Sequence, residues 1–147
     1  HTSFTVADLE KSLAFFRDLL GMEVLFVREV RDDYFGRIVG LPGCLVKAAL
    51  LRLPGADHRL ELFQYLNPPT ESLHTPLRPC DSGSSHLSFL VDDLPGLHAE
   101  LHNRGVAFVS GPVLITAGPN QGAYGVYLRD PNGILIELFQ PPPREQA

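Results

Sequence analysis

Two histidines and two glutamates of this 147-residue chain recur at matching places in a repeated pattern. The segment His1–Leu9 matches His86–Leu94 at six of nine positions, at an offset of 85 residues. The segment Glu61–Gln64 is identical to Glu137–Gln140, at an offset of 76 residues. Self-similarity of this kind indicates an internal duplication. Each copy therefore carries one histidine and one glutamate at equivalent positions.

These residue types could hold a metal ion. Strand side chains alternate between faces, so Glu61 shares a face with Phe63 among apolar neighbours, and Glu137 has a similar setting. A carboxylate there is costly unless it is paired, hydrogen-bonded or coordinated. A pseudo-twofold arrangement of the copies would bring two imidazoles and two carboxylates to one centre, which suits one divalent transition metal such as Zn, Ni, Co, Mn or Fe. The expected ligands are His1, Glu61, His86 and Glu137.

A purely structural role is the alternative for these four residues. A single histidine on a strand is often a hydrogen-bonded core residue, and a partly buried glutamate often pairs with an arginine. Arg59 and Arg129 are the obvious candidates for such pairing because they lie close to the glutamates in sequence. The duplication of both residue types favours the metal site.

The elements that must position these residues have the order βαβββ in each copy, which predicts an α+β fold. Asp8 can cap a helix whose apolar residues follow a 3.6-residue period until Gly21, and Asp93 and Gly105 can bound a second helix. Strand-like runs follow each helix. They are Val24–Val30, Leu45–Leu53 and Leu60–Tyr65 in the first copy, and Val106–Val109, Gly125–Leu128 and Leu135–Phe139 in the second.

Residues 1–147 are expected to form one domain of two modules. Module one covers 1–66, a Pro-rich linker 67–79, module two 80–141 and a polar tail 142–147. The first copy is longer by nine residues, the difference between the two offsets. We place the extra residues in an irregular stretch around Arg31–Gly43, which is a candidate lid.

Composition excludes several classes of function. Hydrophobic residues make up 44% and charged residues 20% of the chain, enough to bury a core. The net charge of −5 and the lack of a basic cluster argue against nucleic acid, and no apolar run is long enough for a membrane span. Cys44 and Cys80 match no disulfide framework or zinc spacing, and no signal-peptide pattern is present, so we expect a cytoplasmic protein. A small molecule is the expected partner, and we expect His1 to be internal in the natural protein.

Several motifs together resemble the vicinal oxygen chelate superfamily, which includes glyoxalase I, methylmalonyl-CoA epimerase, extradiol dioxygenases, and fosfomycin and bleomycin resistance proteins. The motifs are the opening His1-Thr2, Val6–Ser12, Phe15-Phe16 before Leu20-Gly21, and Asp130–Gly133 with Ile136-Glu137. The resemblance implies two βαβββ modules in an open, U-shaped mixed sheet with a central metal site. It also implies that the four residues above are the ligands, and that the protein forms a homodimer.

The His, Glu, His, Glu set is similar to that of bacterial glyoxalase I, and methylmalonyl-CoA epimerase is similar except that it has Gln where this chain has Glu61. The resemblance implies a lyase or isomerase that moves a proton on the carbon next to a carbonyl through a metal-bound enediolate, with Glu61 and Glu137 as catalytic residues. The family's glutathione-binding Arg and Asn correspond to Thr5 and Tyr65 here, which argues against glutathione as cosubstrate.

Two alternatives remain open at this stage. An extradiol ring-cleaving dioxygenase would use His1, His86 and Glu137, and the run from Tyr127 resembles the end of that family's signature. However, the histidine expected before this tyrosine is missing, and Glu61 would crowd the open face of the metal. A metal-free small-molecule-binding protein of the resistance type would have apolar residues at the four ligand positions, which this chain lacks.

Four further residues have side chains that could bind a substrate or a metal ion. Tyr127 and Arg37 are candidates for the substrate pocket, since an arginine in the inserted stretch could anchor a carboxylate or a phosphate. His98 and His102 lie four residues apart on the second helix, where a solvated helix face is favoured over a metal site.

Overall fold

The structure is a computed structural model in which residues 1–72 and 75–143 are described. The chain forms two compact units, His1–His74 and Thr75–Ala147. Residues 73–74 of the predicted linker and 144–147 of the predicted tail lie outside the described residues. No helix in the described part of the chain has both the length and the apolar character needed to cross a bilayer.

The first unit is a four-stranded mixed sheet with helices in two of its connections. In chain order its elements are β1 (Thr2–Thr5), α1 (Leu9–Leu13), a π-helical segment (Ala14–Leu19), β2 (Glu23–Val30), α2 (Asp33–Ile38), β3 (Leu45–Arg52) and β4 (Arg59–Asn67). The strand order is β1-β4-β3-β2. Strand β1 runs parallel to β4, and the other pairs are antiparallel.

The second unit repeats this topology. Its elements are β5 (His86–Leu90), α3 (Leu94–Asn103), β6 (Val113–Leu114), β7 (Tyr124–Arg129) and β8 (Leu135–Gln140). The strand order is β5-β8-β7-β6, with β5 parallel to β8. The prediction of an α+β fold with two βαβββ modules is therefore confirmed.

One face of each sheet is apolar and packs against the helix of its own unit. The side chains that alternate with the glutamates are fully buried, because in a strand they point to the opposite face. These side chains are Leu60 and Leu62 in β4, and Ile136 and Leu138 in β8. The helices contribute Leu9, Leu13, Phe16, Leu94 and Leu101. The opposite face of each sheet is left for the glutamates.

The first helix of unit one is held at its N-terminus by two side chains. The carboxylate of Asp8 accepts a hydrogen bond from the backbone N–H of Lys11, at 3.1 Å. The side-chain carbonyl of Gln64 on β4 accepts one from the backbone N–H of Leu9, at 3.0 Å. A helix leaves its first N–H groups without internal partners, so these two bonds satisfy donors that would otherwise be lost.

Unit two uses the same arrangement. The carboxylate of Asp93 accepts from the N–H of Gly96, and the side-chain carbonyl of Gln140 accepts from the N–H of Leu94 at 2.8 Å. The first and last residues of the repeated run Glu-Leu-Phe-Gln therefore have different tasks. Its glutamate faces the open side of the sheet, and its glutamine ties the sheet to the helix.

The predicted helix up to Gly21 differs from the structure in its second half. From Ala14 the chain adopts π-helical geometry, in which the N–H of Leu20 donates to the carbonyl of Phe15. The wider turn lets the consecutive Phe15 and Phe16 both be buried, with their rings packed edge to face at 5.1 Å between centroids. A uniform 3.6-residue period places Phe16, but not Phe15, on the same helix face as Leu9 and Leu13.

The prediction of a regular strand at Val106–Val109 is wrong. Phe108 makes an isolated bridge to Leu128, and the extended pairing with β7 occurs later, at Val113–Leu114. Ser110, Gly111 and Pro112 separate the two. Pro112 has no N–H to donate to a neighbouring strand, which explains why the pairing is interrupted there.

The stretch Arg31–Gly43, expected to be irregular, contains the helix α2. The ring of Phe35 in this helix packs at 5.3 Å from the ring of Phe63 on β4. Together with Val39 and Tyr65 these rings cover a buried cluster of Val30, Cys44, Val46 and Ala48. The inserted helix thus packs on the sheet face that carries Glu61.

The turn between β7 and β8 is organised by Asp130, which is only 4% exposed. Its Oδ1 accepts hydrogen bonds from the backbone N–H groups of Asn132 and Ile134, both at 2.8 Å, and its Oδ2 accepts from the Asn132 side chain. Burial raises the pKa of the Asp130 carboxyl above 3.8, although these hydrogen bonds oppose the shift. The turn sets the register of Tyr127 against Glu137.

Replacement of Gln64 by Leu is expected to lower the free energy of unfolding by about 1–3 kcal/mol, because the N–H of Leu9 loses its acceptor in a partly buried place. Urea denaturation monitored by circular dichroism measures this change. The matched control is Gln121→Leu, at an exposed position, which should change the midpoint little. Equal effects of the two variants would contradict the proposed role of Gln64.

The stability of the wild-type protein relative to Asp130→Asn is expected to fall as pH rises from about 4 to about 7. Because the folded-state pKa of Asp130 is raised, the folded protein holds this proton more tightly than the unfolded chain does. The stabilising effect is therefore complete below the unfolded pKa and is lost as pH rises through the folded pKa. Urea midpoints across this range, with Asp57→Asn as an exposed control, test the sign; a relative stability that rises with pH would refute it.

Candidate functional site

Strand register places Glu61 in a row of side chains that crosses the whole first sheet. Glu61 pairs with Ser3 on β1 and with Leu50 on β3, and Leu50 pairs with Phe26 on β2. Residues paired in this way point to the same face. The row therefore combines a carboxylate and a hydroxyl with an aliphatic and an aromatic side chain.

His1 lies beside this row. Its Nε2 is 3.6 Å from Oε2 of Glu61. The glutamate side chain is 23% exposed and the histidine side chain 62% exposed. The pair therefore lies at the surface of the sheet face, with the carboxylate partly shielded from water and the imidazole accessible.

The second unit contains the equivalent pair. Nε2 of His86 is 3.5 Å from Oε2 of Glu137, whose side chain is 25% exposed. Glu137 pairs with Ser88 on β5 and with Tyr127 on β7. The rings of His86 and Tyr127 are in edge-to-face contact, with centroids 5.1 Å apart. Tyr127 thus stands where the first unit has Leu50.

The electrostatic setting of Glu61 makes its carboxyl group more basic than usual. Burial raises its pKa, while a hydrogen bond from Ser3 and the positive charge of Arg28 oppose this shift. Burial also raises the pKa of the Tyr127 phenol, and the charge of Glu137 adds to this effect. Tyr127 is therefore a neutral hydrogen-bond donor at physiological pH.

The arginine considered as an alternative partner of Glu137 is engaged elsewhere. The guanidinium of Arg129 donates to the backbone carbonyls of Gly133 and Leu77, at 2.7 and 2.9 Å. Arg59 forms no ion pair with Glu61 among the described residues. In both units the basic side chain paired with the glutamate is the histidine.

The donor atoms of each pair are suitably spaced for a metal ion. Two ligands at about 2.0–2.2 Å from one ion are roughly 2.8–3.6 Å apart when the angle at the ion lies between a right angle and the tetrahedral angle. The observed separations of 3.6 and 3.5 Å fall within this range. Imidazole and carboxylate together suit Zn, Ni, Co, Mn or Fe.

Within either unit, over the residues that the structure describes, no third His, Cys, Asp or Glu side chain joins the pair. The structure thus brings His1 to Glu61 and His86 to Glu137, as two pairs. That both pairs serve one ion stays a prediction.

The other candidate residues have different surroundings. Arg37 is exposed on α2, and Tyr127 lies in the row of Glu137. The rings of His98 and His102 are stacked, with centroids 5.9 Å apart. The ring of His98 also packs on that of Phe108, with centroids 4.3 Å apart. Both histidines line a surface cavity of about 410 Å³ in the second unit. The expectation of a fully solvated helix face is thus too simple for His98, which is only partly exposed.

Two residues near Glu61, Ser3 and Arg28, were not predicted from the sequence. Ser3 and Ser88 coincide in the repeat, and this coincidence was a usable signal for a residue adjacent to the glutamate on the neighbouring strand. Arg28 gave no such signal, because its relation to Glu61 depends on the pairing of three strands.

Comparison with known proteins extends over nearly the whole chain. The sequence profile of the glyoxalase/bleomycin resistance protein/dioxygenase superfamily matches residues 1–138. A 2-epi-5-epi-valiolone epimerase from Actinomyces sp. is 32% identical over 146 residues, which cover 97% of this chain and 78% of the relative. A probable lactoylglutathione lyase from Synechocystis sp. is 26% identical over 142 residues, covering 95% of this chain and 92% of the relative.

A solved structure has the same architecture. The crystal structure of a glyoxalase family protein from Bacillus cereus has a TM-score of 0.83 and 26% sequence identity, and the match covers 97% of this chain and 92% of that chain. The likeness therefore includes both units and is not limited to one module.

Proposed function

Because the chain belongs to the glyoxalase/bleomycin resistance protein/dioxygenase superfamily, we propose that it is a divalent-metal-dependent isomerase or lyase that moves a proton on the carbon next to a carbonyl group. The observation that carries the proposal is the pair of equivalent His–Glu contacts, at 3.6 Å in one unit and 3.5 Å in the other. The proposed ligands are His1, Glu61, His86 and Glu137.

The relatives support the class of reaction. One relative is named as an epimerase and others as probable lactoylglutathione lyases, which agrees with isomerase or lyase activity in this chain. The substrate is a small molecule in this proposal, and the active protein is a homodimer. The choice of reaction within the superfamily depends on the site residues, since one fold supports several chemistries.

A divalent ion bound by these residues would act as a Lewis acid on the carbonyl oxygen of the substrate and make the adjacent C–H bond more acidic. Glu61 would act as the base when its carboxylate is not coordinated to the ion, and partial burial raises the pKa of this group. The hydroxyl of Ser3 hydrogen-bonds to this carboxylate and orients it.

The two glutamates have different neighbours, which suggests different tasks. Glu61 lies next to the aliphatic Leu50, whereas Glu137 lies next to the phenol of Tyr127. A neutral phenol can donate a hydrogen bond to an oxygen of the substrate. We therefore propose Glu61 as the main base, with Glu137 and Tyr127 holding the substrate.

Glutathione is not part of the proposed reaction. Thr5 and Tyr65 occupy the positions of the family's glutathione-binding residues, and neither carries a guanidinium or an amide. The ring of Tyr65 packs at 6.4 Å from that of Phe63 and belongs to the apolar cluster under α2. Turnover should therefore proceed without glutathione, and a strict requirement for it would contradict this part of the proposal.

The purified protein is expected to bind one divalent transition metal ion per chain. Glu61→Gln and His86→Ala should each weaken the binding by about 10-fold or more, because each removes one ligand. Elemental analysis and competition with a chromogenic chelator measure occupancy and affinity. The matched control is His102→Ala, which removes an exposed histidine from α3 and should leave both values unchanged. Equal losses in His86→Ala and His102→Ala would refute the assignment.

The metal-loaded protein is expected to exchange carbon-bound hydrogen of α-hydroxyketones with solvent deuterium. Dihydroxyacetone, dihydroxyacetone phosphate, and 5-hydroxy-4-oxopentanoate with its methyl ester form a suitable panel, followed by proton NMR. Glu61→Gln should slow the exchange by about 100-fold or more, because general base catalysis is lost. Glu100→Gln, on the surface of α3, is the matched control and should be as active as the wild type.

Two results would contradict the proposed reaction. Exchange no faster than the metal ion alone, with every compound of the panel, would argue against proton transfer. Consumption of oxygen with a catechol by the iron-loaded protein would instead support ring cleavage.

A further inference from the structure

Most arginines of this protein have a partner that neutralises or saturates the guanidinium. Five form ion pairs: Arg17 with Asp18, Arg31 with Glu29, Arg52 with Glu23, Arg78 with Asp81, and Arg104 with Glu100. Arg129 donates to two backbone carbonyls. Among the described residues, this leaves Arg28, Arg37 and Arg59 without an ion pair.

Arg28 lies on the sheet face that carries Glu61. It pairs with Ala48 on β3, and Ala48 pairs with Phe63 on β4. This row is adjacent to the row of Glu61, because Phe63 is two residues from Glu61 on the same strand and points to the same side. Arg28 and Glu61 therefore lie on one face of the sheet, in neighbouring rows.

The guanidinium of Arg28 is held over the sheet and stays accessible. It lies 5.4 Å from the centre of the Phe26 ring, in a cation–π contact. Phe26 belongs to the row of Glu61, so this contact directs the guanidinium toward that row. The Arg28 side chain is exposed, and its planar fork of N–H donors can bind an anion bidentately.

We propose that Arg28 binds an anionic group of the substrate, a carboxylate or a phosphate, while Glu61 acts on the carbon next to the carbonyl. The substrates are thus hydroxyketones or related carbonyl compounds that carry a negative charge. This inference rests on the proposed function, because it concerns the same sheet face and the same base. An arginine suits the task better than a lysine, since its fork matches the planar oxygens of such groups.

Arg37 and Arg59 are less well placed for this role. Arg37 is exposed on α2, and in the described part of the chain it forms no ion pair with Glu61. Arg59 is two residues before Glu61 on β4 and pairs with Arg52, whose own charge is balanced by Glu23. The guanidinium of Arg28, in contrast, is held against the ring of Phe26, which belongs to the row of Glu61.

The test uses matched substrates that differ in one charge. Dihydroxyacetone phosphate is compared with dihydroxyacetone for the phosphate arm, and 5-hydroxy-4-oxopentanoate with its methyl ester for the carboxylate arm. Solvent deuterium exchange by the metal-loaded protein yields kcat and KM for each compound. The wild type should prefer the charged member of at least one pair, and the arm with the larger ratio identifies the anion.

Arg28→Ala should raise KM for the preferred charged compound by about 10- to 100-fold, the usual loss for one charge-assisted hydrogen-bonded contact. KM for the uncharged partner should change less than about 2-fold by the same reasoning. Arg28→Lys should recover part of the loss, because it keeps the charge without the fork. Lys47→Ala is the control, since Lys47 is exposed on the opposite face of the same sheet and should behave as the wild type.

A binding measurement separates this inference from the proposed reaction. Line broadening of inorganic phosphate in phosphorus NMR, or of acetate in proton NMR, reports anion binding without turnover. If no deuterium exchange occurs but Arg28→Ala abolishes the broadening of the phosphate or acetate signal, the anion site is supported and the proposed reaction is contradicted. If deuterium exchange occurs and Arg28→Ala raises KM equally for charged and uncharged compounds, the anion site is contradicted and the proposed reaction is supported. A rise in KM that is specific to the charged compounds in Arg37→Ala or Arg59→Ala, with no such rise in Arg28→Ala, would also contradict the assignment of the anion site to Arg28.

Discussion

Parallel pairing between the first and last strands of each unit is the constraint on which both His–Glu pairs depend. In the first unit this pairing aligns Ser3 with Glu61, and in the second it aligns Ser88 with Glu137. The histidine two residues before each serine then lies within 3.6 Å of the glutamate. A shift of one residue would turn every side chain of the strand to the other face and separate the pair. The register is therefore as important as the residues themselves.

The helix between these strands secures the register from the opposite face. Parallel strands require a crossover connection, and the helices that provide it bury the apolar side chains that alternate with the glutamates. Gln64 and Gln140 add a direct link, because each accepts a hydrogen bond from the first N–H of its helix. One short run of four residues thus carries a ligand candidate on the open face and a helix contact at its end. This double task accounts for the glutamate and the glutamine of the run in both copies.

The two copies have nevertheless diverged around the glutamates. The first unit places Leu50 next to Glu61, adds the charge of Arg28 and packs the inserted helix α2 over part of the same face. The second unit instead places Tyr127 next to Glu137 and against His86. Two carboxylates with equivalent backbone positions therefore have different chemical surroundings. A proton-transfer reaction on an asymmetric substrate can use such a difference, because the base and the group that holds the substrate need not be alike.

The sequence by itself determined the duplication, the βαβββ order and the two His–Glu combinations. These properties follow from local patterns: identical residues at fixed offsets, alternation in strands, and helix caps at Asp8 and Asp93. The pattern of alternating faces was also sufficient to predict that Glu61 would share a side with Phe63.

Only the tertiary structure decided the points at which packing outweighs local pattern. The π-helical turn buries Phe15 together with Phe16, and the helix α2 forms where its Phe35 can pack on Phe63. The interruption before Val113–Leu114 also depends on which N–H groups find partners on β7. The position of Arg28 on the sheet face of Glu61 requires the registers of three strands, and such long-range pairing leaves no mark within any single stretch of sequence.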